Sequence, residues 1–315
     1  MAAVALVVVF FFRERHLFFG FGQSMSRVEW VWLFLALVAE MASVVPLAEA
    51  QRIVLESGGA SIPRRQMVLI TLASNAISMS VPAGVAVAEG YLYRQYRRFR
   101  ATQAVAAWGE LASGAIAFAA LASIGLAGAV VDAGSAGLVL IPVLSVVTAG
   151  SLAAAAVFRR PRVLVRWIEW IEARVGRRLG DLVARAAGRV RVISEELRGI
   201  RPPPSAWAMA FALSGVNWML DVLSLALSFL AVHGRVPWGA VLLAFAGTKV
   251  VSSIGITPGG LGIVEGGLVA TFVAYGSDGA TAVAAVVVYR ALTLVGLVGL
   301  GWVAAATLAV ENKRA

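Results

Sequence analysis

Long apolar runs set apart by short basic stretches are what most constrain this chain. An α-helix rises 1.5 Å per residue, so crossing a hydrocarbon core of about 30 Å takes about 20 apolar residues. Val28 to Ala50, Ala101 to Val131, Gly137 to Phe158, Ala206 to Val232 and Ala280 to Val310 all meet that requirement. With 60% hydrophobic and 14% charged residues over 315 positions, the chain holds more apolar side chains than one soluble core can bury. Lipid must cover the remainder. The expected fold is all-α: a polytopic transmembrane helix bundle forming a single integral membrane domain over 1–315.

The net charge is +10, from 27 Lys+Arg against 17 Asp+Glu. The basic residues stand between the apolar runs, so they read as positive-inside loops and no nucleic-acid partner is expected. There is no cysteine, and His16 and His233 are the two histidines, so neither a disulfide, a thiolate metal site nor an imidazole cluster is available. No G-x-x-x-x-G-K-[ST] loop is present, and no cofactor is expected. Ala2 to Phe12 is apolar but too short to span, and Arg13, Glu14 and Arg15 follow it in place of a small-residue cleavage site. It reads as the tail of a first transmembrane helix.

Arg159 to Arg201 has a different character. Twelve arginines against five carboxylates give this segment +7 of the total charge, which assigns it to the cytoplasmic side. Its apolar residues, among them Leu164, Trp167, Ile171, Val175 and Leu179, recur every three or four positions, as on an amphipathic helix. Such a helix either grips anionic headgroups or packs on the bundle. The segment divides the chain into a first half, 1–158, and a second half, 202–315. The C-terminus falls on the same cytoplasmic side, and the expected location is the cell membrane.

Two hydrophobic segments are broken. Met67 to Val81 is too short to cross; Pro82-Ala83-Gly84 interrupts it, a second short run ends at Leu92, and basic residues stand on both flanks. Trp238 to Ile256 and Leu261 to Tyr275 form a second broken pair around Thr257-Pro258-Gly259-Gly260. Both breaks read P-x-G-x4-E-G: Pro82 and Gly84 with Glu89, and Pro258 and Gly260 with Glu265, Gly259 and Gly262 adding to the second. Proline removes a backbone donor and glycine tolerates unusual dihedrals, so the freed backbone groups must line a cavity or find protein partners. The expectation is two re-entrant helical hairpins entering from opposite faces, an inverted-topology repeat with a binding site at its interface. A pair of tight turns with interfacial glutamates is the plainer alternative.

The run from Thr257 to Gly267, followed by Val288-Tyr289-Arg290-Ala291-Leu292-Thr293, resembles the lysylphosphatidylglycerol synthase/flippase transmembrane domain family, including its stand-alone flippase-like members. In the first half the match rests on Asn75, Pro82-x-Gly84, Glu89 and Tyr91. Family members usually carry an Arg after the first Pro-x and a Glu-Arg pair on the next helix, where this chain has Val85 to Ala88 and Trp108-Gly109-Glu110. The resemblance implies lipid translocation, and because no polar globular stretch follows Val310, synthase activity is not expected.

Ionisable residues at membrane depth cost about 2.5 to 3.5 kcal/mol each on insertion scales and normally face a partner or a watery cavity. The candidates are Glu40, Glu89, Glu110, Asp221, Lys249, Glu265 and Arg290. Arg290 is expected to pair with Glu265 or to attract a lipid phosphate. Ser214, Asn217, Asp221, Ser224 and Ser228 share one helix face, which either lines a polar groove or hydrogen-bonds across helices. The substrate-binding set expected from the sequence is therefore Glu89, Glu110, Asn217, Asp221, Lys249, Glu265 and Arg290, with no catalytic set and no metal. The leading expectation is a flippase for an amphiphilic lipid, anionic or aminoacylated. A small-solute or ion transporter and a membrane-embedded enzyme on lipid-linked substrates stand as alternatives. Membrane lipids are the expected partners, with a second copy of the chain or a separate lipid-modifying enzyme as further candidates.

Overall fold

The structure, a computed structural model, describes residues 28–81, 83–131, 149–150, 196, 200, 202–253 and 257–314. The N-terminal run 2–12, Pro82, nearly all of the expected span 137–158 and nearly all of the basic segment 159–201 lie outside the described residues. Every regular element among the described residues is helical. The elements are α1 (Trp30–Ser57), α2 (Arg64–Ser80), α3 (Gly84–Arg98), α4 (Gln103–Val131), α5 (Pro204–Ala231), α6 (Trp238–Ser252), a 3₁₀ turn (Pro258–Gly260), α7 (Ile263–Ala274), α8 (Gly279–Ala291), a π-helical stretch (Leu292–Leu297) and α9 (Val298–Arg314).

Four stretches are long and apolar enough to cross a membrane: Trp30–Ser57, Gln103–Val130, Pro204–Ala231 and Gly279–Glu311. Their outer faces carry Phe34 at 64% exposure, Leu111 at 59%, Val295 at 74% and Val303 at 64%. In water such a surface would aggregate; in a bilayer it is the solvated face. The chain is a multi-pass membrane protein.

Local chemistry sets the helix ends. Pro203 and Pro204 open α5, where a missing N–H is harmless. Gly59, at φ 89°, lets the chain turn out of α1, and Asp278 caps α8 by accepting from the Thr281 amide at 2.9 Å. Two boundaries differ from the sequence expectation. Helix α1 runs straight through Pro46 to Ser57, and α3 continues past Leu92 to Arg98, taking up the basic residues as its last turns. Packing from neighbouring helices tolerates a lost backbone bond at Pro46, and arginines favour a helix C-terminus.

The core has two main parts. One gathers Ala48 to Leu55 of α1, much of α2 and α3, the first half of α4, Trp207 and Ala210 at the start of α5, and Leu308 of α9. The other gathers Leu121 of α4, the second half of α5, and α6, α7 and α8, with Leu33 near the start of α1 packed against it. Helices α1, α4 and α5 therefore run the length of the bundle, α1 opposite in direction to the other two. Helices α2 and α3 pack on each other across a three-residue connection, as do α6 and α7 across the second break. The first pair lies in one part of the core and the second pair in the other.

The two breaks meet. The 3₁₀ turn contacts α2, and a Cβ added at Gly259 would lie 3.4 Å from the Met79 carbonyl oxygen. Their geometry also matches: Ala83 takes φ 54°, ψ 28°, and Gly259 takes φ 56°, ψ 17°.

Candidate functional site: a polar cavity between the two breaks

Around this meeting point is a cavity of about 270 Å³. Its polar lining comes from Glu40 of α1, Asn75 and Ser78 of α2, Asn217 and Asp221 of α5, Lys249 of α6 and Arg290 of α8. Its apolar lining includes Leu47, Phe118, Leu121 and Trp218. Gly84 and Val85 from the first break, and Thr257, Gly259 and Gly260 from the second, complete the lining.

The second break is fastened from two sides. Arg290 Nε donates to Glu265 Oε1 at 2.6 Å, and Arg290 Nη2 donates to the Gly259 carbonyl at 2.7 Å. Glu265 in turn accepts from the Gly262 amide at 2.7 Å through its other oxygen. A buried guanidinium, a carboxylate and two freed backbone groups thus satisfy one another, as the low-dielectric setting demands. Of the two expectations for Arg290, the geometry takes the pairing with Glu265.

A second cluster centres on Asp221. Its Oδ2 accepts from Lys249 Nζ at 2.7 Å and its Oδ1 from the Tyr289 hydroxyl at 2.6 Å. Lys249 Nζ also lies 5.0 Å from the Phe245 ring centre and 5.7 Å from that of Trp218, within cation–π range. Glu40, only 2% exposed, lines the same cavity, and among the described residues neither its Oε2 nor the Ser224 hydroxyl oxygen finds a hydrogen-bond partner.

The polar stripe on α5 divides between its two expected roles. Ser224 and Ser228 are fully buried, and the Ser228 hydroxyl donates to the Ser224 carbonyl at 2.8 Å, which is packing. Asn217 and Asp221 open onto the cavity, while Asn217 Nδ2 also donates to the Ser43 carbonyl at 2.9 Å and ties α5 to α1.

Glu89 and Glu110 lie elsewhere. They line a neighbouring cavity of about 80 Å³ together with Gln51, Tyr96 and Ser214, where the two carboxyls face each other. Leu47, Gly114 and Ala117 line both cavities and form the wall between them. Although Glu89 and Glu265 hold the same place in the P-x-G-x4-E-G repeat, Glu89 is exposed and faces a carboxyl, whereas Glu265 faces a guanidinium. The repeat is closer in backbone than in side-chain environment.

Tyr289 and Ser43 were not among the expected site residues. A tyrosine beside an arginine in an otherwise apolar span was the available signal for the first. Ser43 one turn after Glu40 was the signal for the second.

The family model described as the lysylphosphatidylglycerol synthase transmembrane region matches residues 1–301. The chain belongs to this family. No curated protein matches it. The match spans both breaks and every residue of the cavity, so the site described here lies wholly within the family's membrane region.

Proposed function

We propose that the protein moves the headgroup of an amphiphilic lipid between leaflets through the cavity where the two helix breaks meet. The observation that carries this reading is a cavity lined by both polar and apolar side chains inside a bundle of membrane-crossing length. A volume of about 270 Å³ holds a headgroup but not two acyl chains, so the chains stay in the bilayer while the headgroup crosses. Three features support two re-entrant hairpins in an inverted arrangement: the matched dihedrals of Ala83 and Gly259, the contact between the breaks, and the placement of the hairpins in opposite parts of the core. Broken helices at a repeat interface are where membrane transporters place their sites. Lys249 and Arg290 are each engaged by a carboxylate, so an anionic headgroup would have to loosen one of these pairs to be held by it. The protein is proposed to act without covalent chemistry, in the cell membrane with its C-terminus in the cytoplasm.

The test is reconstitution into liposomes with fluorescent anionic and aminoacylated lipids, scoring exchange between leaflets. Exchange above that of protein-free vesicles is expected for at least one headgroup class, and its absence for every lipid tried would sink the reading. The small volume also suits a free solute. Uptake of soluble headgroup analogues without lipid exchange would favour a solute transporter on the same frame.

A further inference from the structure

Three carboxylates and two cations meet beside the main cavity. Glu265 is matched by Arg290, and Asp221 by Lys249 with the Tyr289 hydroxyl as a further donor. Among the described residues Glu40 makes no ion pair of its own. Glu40 and Asp221 are both buried and line the same cavity, and two ionised carboxylates side by side at membrane depth repel each other, so one of them holds a proton. Asp221 already accepts from two donors. The proton therefore belongs on Glu40, whose side chain is 2% exposed, lines the cavity and leaves Oε2 without a partner among the described residues. With it the cluster is neutral; without it the cluster carries one uncompensated negative charge at membrane depth.

We propose that Glu40 is a proton-binding site, taking up and releasing one proton through the cavity and so coupling translocation to a proton gradient. The groups facing it are Asp221 and Ser224 on α5, Lys249 on α6, and Tyr289 and Arg290 on α8. Helix α2 presents Asn75 to the cavity, and Glu110 of α4 lies across the Leu47, Gly114 and Ala117 wall. An uncompensated charge is costly where it stands. Glu40 can therefore release its proton when the cavity opens to water on one side, and must regain one before the cavity closes again.

The proposal rests on the lipid-translocation reading for its coupling and on the burial and neighbours of Glu40 for its proton. Two measurements keep these apart. In detergent, infrared difference spectra of the full chain between acid and alkaline pH are expected to show a carboxylic-acid carbonyl band that Glu40→Gln removes and Glu49→Gln, on the Arg52 salt bridge, leaves in place. An unchanged band in Glu40→Gln overturns the proton site, whatever the protein transports. In proteoliposomes carrying the lipid that exchanges, a gradient of about one pH unit is expected to shift the steady leaflet ratio about tenfold for one proton per lipid. Glu40→Gln should abolish that shift. A leaflet ratio that ignores the pH gradient, or that follows a sodium gradient instead, overturns the coupling. If no lipid exchanges at all, the translocation reading fails while the infrared band still decides the proton site.

Discussion

Ala83 and Gly259, each the residue after the proline of its break, share a left-handed backbone conformation at φ 54° and 56°. Glycine takes that conformation freely, whereas a side chain resists it by about 1 to 2 kcal/mol. Ala83→Gly is therefore expected to raise the stability of the detergent-solubilised protein by about 1 kcal/mol. Gly259→Ala should lower it, because the new Cβ also meets the Leu294 side chain at 3.3 Å. Thermal unfolding followed by tryptophan fluorescence reads both changes, and equal effects of the same sign would contradict the matched geometry.

Arg290 holds the second break through two bonds, only one of them to Glu265. Arg290→Ala leaves a buried carboxylate unmatched and is expected to cost about 3 to 5 kcal/mol. Arg290→Lys can keep one bond but not the fork, and should fall between that variant and wild type. The exchange Arg290→Glu with Glu265→Arg should not restore the protein, since the Gly259 carbonyl loses its donor. Full recovery in thermal unfolding and in lipid exchange would show that the Glu265 contact alone matters.

Tyr289→Phe removes one hydroxyl from a buried carboxylate and is expected to cost about 1.5 to 3 kcal/mol, the range for a hydrogen bond to a charged group. Lys249→Met strands Asp221, and Asp221→Asn in the same chain should recover part of the loss. A double-mutant cycle gives the coupling; strictly additive losses would mean that Lys249 and Asp221 do not act as a pair.

Gly84 begins α3 where a Cβ would overlap the Ser78 carbonyl of α2. Gly84→Ala is expected to cost at least about 1 to 3 kcal/mol, because the obstacle is backbone and cannot rotate away. Limited proteolysis should show new cutting near 81–84, and a wild-type pattern would count against the tight hairpin.

Asp278 caps α8, and the Thr281 amide and hydroxyl hold its carboxyl below the usual value of 3.8. A lowered carboxyl pKa contributes stability that is complete above 3.8 and is lost as pH falls through the lower folded value. Asp278→Ala is expected to cost about 0.5 to 2 kcal/mol at neutral pH. The difference between variant and wild type should shrink below pH 3.8, and a constant difference would assign the effect to something other than the cap.

The fold was legible wherever hydrophobic length alone decides. The runs beginning near Val28, Ala101, Ala206 and Ala280 became helices because lipid leaves no other way to satisfy their backbone. Pro46 was harder to read, since a proline ends a helix in water but persists within one when neighbours pack around it. The site was half legible. Asp221, Lys249, Glu265 and Arg290 announced themselves as charges in apolar runs, and Glu40 did likewise without its partner being evident. Their sorting into two pairs with Glu40 left over depends on how α1, α5, α6 and α8 face one another, and no local spacing carries that. Glu89 stands apart for a related reason. A shared motif fixes where a carboxylate stands on its helix, but the next helix over supplies its counter-charge, and at that place α4 offers Glu110 in place of a base.

The contact of Gly259 with Met79 has a mechanical consequence. Neither hairpin can slide or tilt without pressing on the other, so the tips behave as meshed teeth. Under the proposed translocation, access from one leaflet would close as access from the opposite leaflet opens.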